Sequence, residues 1–121
     1  MADTRYPFPH NRLEVFRVSL EMAVQAKVVA DEIPRGHRSL ADQLLRASSS
    51  VVLNIGEGAN RTTAGAKRQR YSEARGEAGE VAANAQLLAT LALVPSPRCD
   101  QLIDLAGRVA AMLTRLIASV G

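Results

Sequence analysis

Residues 71–97, YSEARGEAGEVAANAQLLATLALVPSP, place Tyr71, Ala74, Ala78, Val81, Ala85, Leu88 and Ala92 at alternating steps of three and four, the spacing of one helix face. Pro95 and Pro97 forbid its continuation. The spacing predicts a long helix over 63–94, opened by Thr62 or Thr63 as cap. After the prolines, Leu102, Leu105, Val109, Leu113, Leu116 and Val120 repeat the pattern, with Ser96 and Pro97 as start signals, so a second helix follows over 97–119.

The chain before residue 62 divides in the same way. Tyr6-Pro7-Phe8-Pro9-His10 closes a proline-stiffened extended lead-in over 1–10. Asn11, with Glu14 three positions later, has the pattern of a capping box for a helix over 12–33, which Pro34 and Gly36 stop. Ser39 with Asp42 starts a helix over 40–60, ended by Gly58 and Asn60. The links are short, so consecutive helices lie antiparallel. The expected fold is all-α, one domain over 1–121 forming an antiparallel up-down-up-down four-helix bundle.

Composition agrees with close helix packing: 47% of the 121 residues are hydrophobic but only 3% are aromatic, so the core is built from Ala, Val, Leu and Ile. In an antiparallel pair of the second and third helices, Ala47 comes level with Ala78 and Val51 with Ala74. The same register lets Arg46 reach Glu77, and Ser49 or Ser50 reach Arg75.

The first helix carries two apolar rows, one of them Leu13, Phe16, Leu20 and Ala23. The fourth adds Ile103, Ala106, Ala110 and Ile117, with Met112 beside them. A monomeric bundle needs one row per helix, so the surplus predicts subunit contacts in a homo-oligomer.

Several functions lack their residues. His10 and His37 fall in the lead-in and a loop, read as solvated, with no nucleophile elbow, so no catalytic residues are assigned. No metal-binding motif and no phosphate-binding glycine loop appears, so no metal and no cofactor is expected. Cys99 is a lone cysteine, read as a small packing or surface residue suited to a reducing compartment. The N-terminus has no apolar signal core and no stretch spans a membrane, so the expected location is cytoplasmic.

Two regions remain as candidate sites. The net charge of +3 is uneven: Arg61, Lys67, Arg68, Arg70 and Arg75 against Glu73 give residues 61–75 a charge of +4. Arg61, Lys67, Arg68 and Arg70 are the candidate nucleic-acid contacts, the competing reading being a solvated helix face. The segment from Ser48 to Gly58 holds serines, an amide and glycines that suit a helix poorly. Asn54, Glu57, Arg75 and Glu80 are read there as a structural polar network fixing the register of the second and third helices; a site of Asn54, Glu57 and Arg61 is the alternative.

At this segment the sequence resembles a known family. Leu44 to Ser48, Asn54-Ile55-Gly56-Glu57-Gly58 and Arg61 resemble the SI-x-x-NIAEG-x-x-R signature of the four-helix-bundle proteins encoded in 23S ribosomal RNA intervening sequences. Tyr71 and Ala74-Arg75-Gly76-Glu77 are similar to that family's aromatic-then-ARGS segment, with Glu77 where serine is usual and Gly56 where alanine is usual. The accessory variability determinant proteins of diversity-generating retroelements belong to the same family. The resemblance implies a homopentameric ring, with RNA or DNA and a nucleic-acid enzyme such as a reverse transcriptase as partners. Its rival is a structural or protein-protein interaction module whose basic residues pair with acidic neighbours; an enzyme would instead require a convergent cavity of titratable groups.

Overall fold

The computed structural model describes residues 7–120. The expected lead-in over Met1 to Tyr6 and the last residue, Gly121, lie outside them. Four α-helices carry the fold, α1 (Glu14–Glu32), α2 (Arg38–Asn60), α3 (Ala64–Thr90) and α4 (Ser96–Ser119), with single 3-10 turns at Pro9–Arg12 and Arg35–His37 and no strand among the described residues. Neighbours in sequence pack on one another and α4 returns onto α1, giving a four-cornered up-down bundle. None of these helices is long and apolar enough to cross a membrane.

The helix ends depart from the sequence reading where a short turn takes over a cap's role. Phe8 is extended, but Pro9 opens a 3-10 turn, in which the Asn11 amide donates to the Phe8 carbonyl at 3.1 Å. Asn11 therefore lies inside a turn and does not cap α1; its Oδ1 is buried without a hydrogen-bond partner. Leu13, in extended conformation, precedes the first helical residue, and packs against the core. Likewise the Arg35–His37 turn runs straight into α2, leaving Ser39 inside the helix instead of at its start.

Thr63 does cap α3, its Oγ1 accepting from the Ala66 amide at 3.2 Å. At the other end α3 stops at Thr90, short of the expected residue 94. Ala92 adopts φ 57°, the Leu93 amide reaches back to the Leu88 carbonyl at 3.0 Å and the Ala92 amide to the Ala89 carbonyl at 3.0 Å. This is a Schellman ending with alanine in the left-handed position that glycine usually fills. The prolines beyond it open α4 instead of ending α3, with Pro95 flanking the first helical residue.

The core runs the length of the bundle. Leu44, Ile55, Leu88, Leu102 and Leu113 are fully buried, each stabilising the fold by about 1.5–3 kcal/mol relative to exposure. Ala47 and Val51 on α2, and Ala74 and Ala78 on α3, are buried as their expected pairing requires. Small residues let the two helices approach closely, and Gly58 sets the limit. A Cβ there would stand 2.7 Å from the Tyr71 ring and 3.2 Å from the Arg70 Cβ.

The surplus apolar row of α4 is not a free surface. Ala106 is buried, and Ile103, Ala110, Met112 and Ile117 pack against the core, because neighbouring helices cover both flanks of α4. Among the described residues, the large apolar side chains left exposed are Leu20 and Val24 on α1, Leu53 on α2, Leu87 and Leu91 at the end of α3, and Phe8. Of the row expected to be surplus on α1, Leu13 and Phe16 pack against the core and Ala23 is half-buried, so only Leu20 is exposed there, and Val24, which belongs to neither expected row, is exposed beside it. Cys99 is fully buried, and burial pushes its thiol pKa up, as fits a packing residue.

The two glycines of α2 differ in what they permit. Gly58→Ala forces the Tyr71 ring aside and is expected to lower stability in urea denaturation by about 1–3 kcal/mol. At Gly56 an added Cβ would meet the Phe16 ring at 3.8 Å, an ordinary contact. Gly56→Ala is therefore expected to raise stability by about 0.5–1 kcal/mol.

Candidate nucleic-acid interface

The basic run begins where α2 ends and α3 starts, and the fold uses most of it locally. The last carbonyls of α2 lack helical partners. Lys67, in the first turn of α3, donates from Nζ to the Ala59 carbonyl at 2.8 Å and the Gly58 carbonyl at 3.4 Å. Asn60 Nδ2 donates to the Gly56 carbonyl at 2.7 Å. No glycine takes a left-handed conformation here; Arg61 simply turns extended after the side chains have satisfied the helix end.

The other three candidate contacts are also engaged. Arg61 pairs with Glu57 one turn earlier. Arg70 reaches Glu57 at 3.5 Å and Glu73 at 3.1 Å. Arg68 donates from Nη1 to the Val120 carbonyl at 2.9 Å, tying α3 to the end of α4. These contacts leave Arg61 and Arg68 exposed and Arg70 and Lys67 half-buried.

Asn54, Glu57, Arg75 and Glu80 do not form one network. Asn54 donates to Ser50 Oγ at 3.1 Å within α2. Glu57 serves Arg61 and Arg70. Glu80 pairs with Arg46 at 2.9 Å, an α2–α3 bridge that also brings Arg46 to 3.9 Å from Glu77. Arg75 turns the other way, donating from Nε to Thr114 Oγ1 on α4 at 2.7 Å, and so does not meet Ser49 or Ser50. Its position on α3 places it on the α4 flank, which spacing within α2 and α3 cannot reveal. The register bridge is Arg46 with Glu77 and Glu80.

His10 is also placed differently from its sequence reading. It is half-buried, with Nδ1 2.8 Å from Asn60 Nδ2, and its ring lies 4.6 Å from that of Phe16. It anchors the first turn onto the end of α2, whereas His37 is exposed. Among the described residues no group of three His, Cys, Asp or Glu side chains could hold a metal ion. One surface cleft, of about 430 Å³, lies by Ile33, Pro34, Arg35 and Arg38, remote from Asn54 and Glu57.

Among the described residues, Glu77 is the carboxylate whose pKa departs from the ordinary value. Its Oε2 is buried without a hydrogen-bond partner. Burial first, then the adjacent Glu80 carboxylate, raise its pKa above the ordinary value, and Arg46 offsets this in part.

A profile of the family described as "23S rRNA-intervening sequence protein" matches residues 11–115. A solved structure is similar over most of its length: a protein of unknown function from the S23 ribosomal protein family of Bacteroides thetaiotaomicron VPI-5482, with a TM-score of 0.80 at 20% identity, covering 87% of this chain and 96% of that one. At that identity the likeness concerns the fold. No curated protein matches the chain. Neither the family nor the neighbour indicates a catalytic activity.

The raised Glu77 pKa fixes the sign of a pH effect. The folded state keeps a proton that the unfolded chain releases, so stability falls as pH climbs from the ordinary glutamate pKa through the folded value. Glu77→Gln removes that loss. Thermal melts are expected to show the variant above the unsubstituted protein at about pH 7, with the difference shrinking toward about pH 4.

Proposed function

Because the chain belongs to the 23S rRNA-intervening sequence protein family, we propose that it is a non-enzymatic, homo-oligomeric scaffold of the cytoplasm whose basic surface binds RNA or DNA, or a nucleic-acid enzyme, without sequence specificity. The observation that carries this reading is that the four helices complete their core and still leave Leu20 and Val24 exposed, one turn apart on α1 beside Phe16. A second copy covering that row accounts for apolar surface that the bundle does not use. A five-membered ring is the assembly we propose, and it would carry a charge of about +15, multiplying contacts that are weak singly.

Arg61, Lys67, Arg68 and Arg70 remain proposed phosphate contacts despite their protein partners. Exposed ion pairs contribute about 0–1 kcal/mol, so a phosphate can replace the Glu57 carboxylate at little cost. With only two phenylalanines, two tyrosines and no tryptophan, stacking on bases adds little, which favours backbone contacts.

A protein-interaction module is the second reading, favoured by the fact that each of those four side chains already has a protein acceptor. Titration of the assembled protein with RNA and with DNA separates the two. Binding at about 50 mM salt that weakens steeply by about 200 mM is expected of phosphate contacts. Absence of binding to both polymers at the lower salt would leave the interaction module.

A further inference from the structure

The charged side chains of α3 are sorted between its two neighbours. Its glutamates serve the α2 side, where Glu77 and Glu80 meet Arg46 and Glu73 pairs with Arg70, which itself reaches Glu57 of α2. Two of its arginines turn to α4 instead. Arg68 donates from Nη1 to the Val120 carbonyl at 2.9 Å, and Arg75 from Nε to Thr114 Oγ1 at 2.7 Å. Both acceptors are neutral oxygens, and neither arginine makes an ion pair with a described residue.

Ser72 stands between them, one turn from each along α3. It is exposed, and its hydroxyl makes no hydrogen bond to a described residue. With Arg75, Thr114 and Ile117 it lines an open cleft of about 260 Å³ between α3 and α4. The Thr114 hydroxyl gives its own proton to the Ala110 carbonyl at 3.0 Å, so its oxygen is turned to accept from Arg75 and holds that guanidinium at the cleft.

The acids of α4 and α1 lie elsewhere. Asp104 lines a cleft with Gln25 of α1, on the other flank of α4, and stands about 15 Å along the helix axis from Thr114. Asp100 is a turn farther away. Glu14 borders the α1–α4 cleft with Arg115. Among the described residues, the α3–α4 groove therefore carries two guanidinium groups and no carboxylate. A guanidinium held by a neutral oxygen keeps its charge for a further acceptor, whereas Arg61 and Arg70 must exchange Glu57 for it.

We infer that the α3–α4 groove seats two phosphates of one nucleic-acid strand, Arg68 and Arg75 each holding one and the Ser72 hydroxyl donating between them. This placement rests on the nucleic-acid reading above; of the four contacts proposed there it keeps Arg68, and it adds Ser72 and Arg75. The two arginines leave α3 about 10.5 Å apart along its axis, a span that suits a chain of phosphates better than a single anion. Guanidinium groups grip phosphate oxygens in a two-pronged geometry, and serine hydroxyls are ordinary donors to the nucleic-acid backbone.

The test uses the full chain and labelled single-stranded RNA and DNA 20-mers of mixed sequence, read by fluorescence anisotropy across a salt series. Arg68→Gln with Arg75→Gln is expected to flatten the log–log salt slope by about 1.4 for each protomer engaged, from two lost phosphate contacts. Arg35→Gln with Arg38→Gln, at the α1–α2 turn, removes the same charge and is expected to leave the slope unchanged. Ser72→Glu keeps both arginines but sets a carboxylate between them, and should weaken binding about ten-fold at low salt. Ser49→Glu, also exposed but on α2, should not, and circular dichroism should show the same helix content throughout. Inorganic phosphate replacing chloride at constant ionic strength should leave the 20-mers bound; their displacement would mark a site for the free anion and overturn the strand placement. Equal effects of the two glutamine pairs, or of the two glutamate variants, would overturn the groove while leaving nucleic-acid binding intact. Failure of the unsubstituted protein to bind either polymer at low salt would remove the underlying reading as well.

Discussion

The contact of Gly58 with the Tyr71 ring is the constraint on which the α2–α3 half of the bundle depends. The ring lies where a Cβ would be, so the end of α2 can meet the start of α3 only at a glycine. Once the two helices are that close, their seam is filled by Ala47, Val51, Ala74 and Ala78. The same approach carries Lys67 onto the last carbonyls of α2 and sets Glu57 between Arg61 and Arg70. The two sequence segments that mark the family are therefore the two sides of one joint, and their glycine and aromatic residue are needed together. Alanine at position 56 is compatible with this joint because a Cβ there would meet the Phe16 ring at 3.8 Å, an ordinary contact.

Periodicity was enough to read four helices, their order and the pairing of α2 with α3, because repeated apolar spacing reports directly on which face is buried. Caps were harder. The cap of α3 was legible to within one residue, Thr62 or Thr63, and the structure uses Thr63, whereas Asn11 and Ser39 were not, because 3-10 turns displaced the helix starts around them. The early end of α3 was hidden by an alanine in a conformation that normally announces itself as glycine.

The candidate site was less legible than the fold, for a geometric reason. Long side chains choose among neighbours on either flank, and one-dimensional spacing does not distinguish the α2 flank of α3 from its α4 flank. Arg75 and Glu80 are five residues apart, yet one reaches Thr114 and the other Arg46. In the dense run the charges are close together, and that closeness is also what allows Glu57 and Glu73 to neutralise part of it.

The bundle completes its core and leaves Leu20 and Val24 of α1 exposed outside it. The scaffold proposed above requires assembly through those residues. Sedimentation velocity of the full chain at micromolar concentration measures this most directly. One species near five times the 13.0 kDa of the chain is expected, dissociating when Leu20 and Val24 are both replaced by serine; a monomer of the chain mass before any substitution would contradict the proposed assembly.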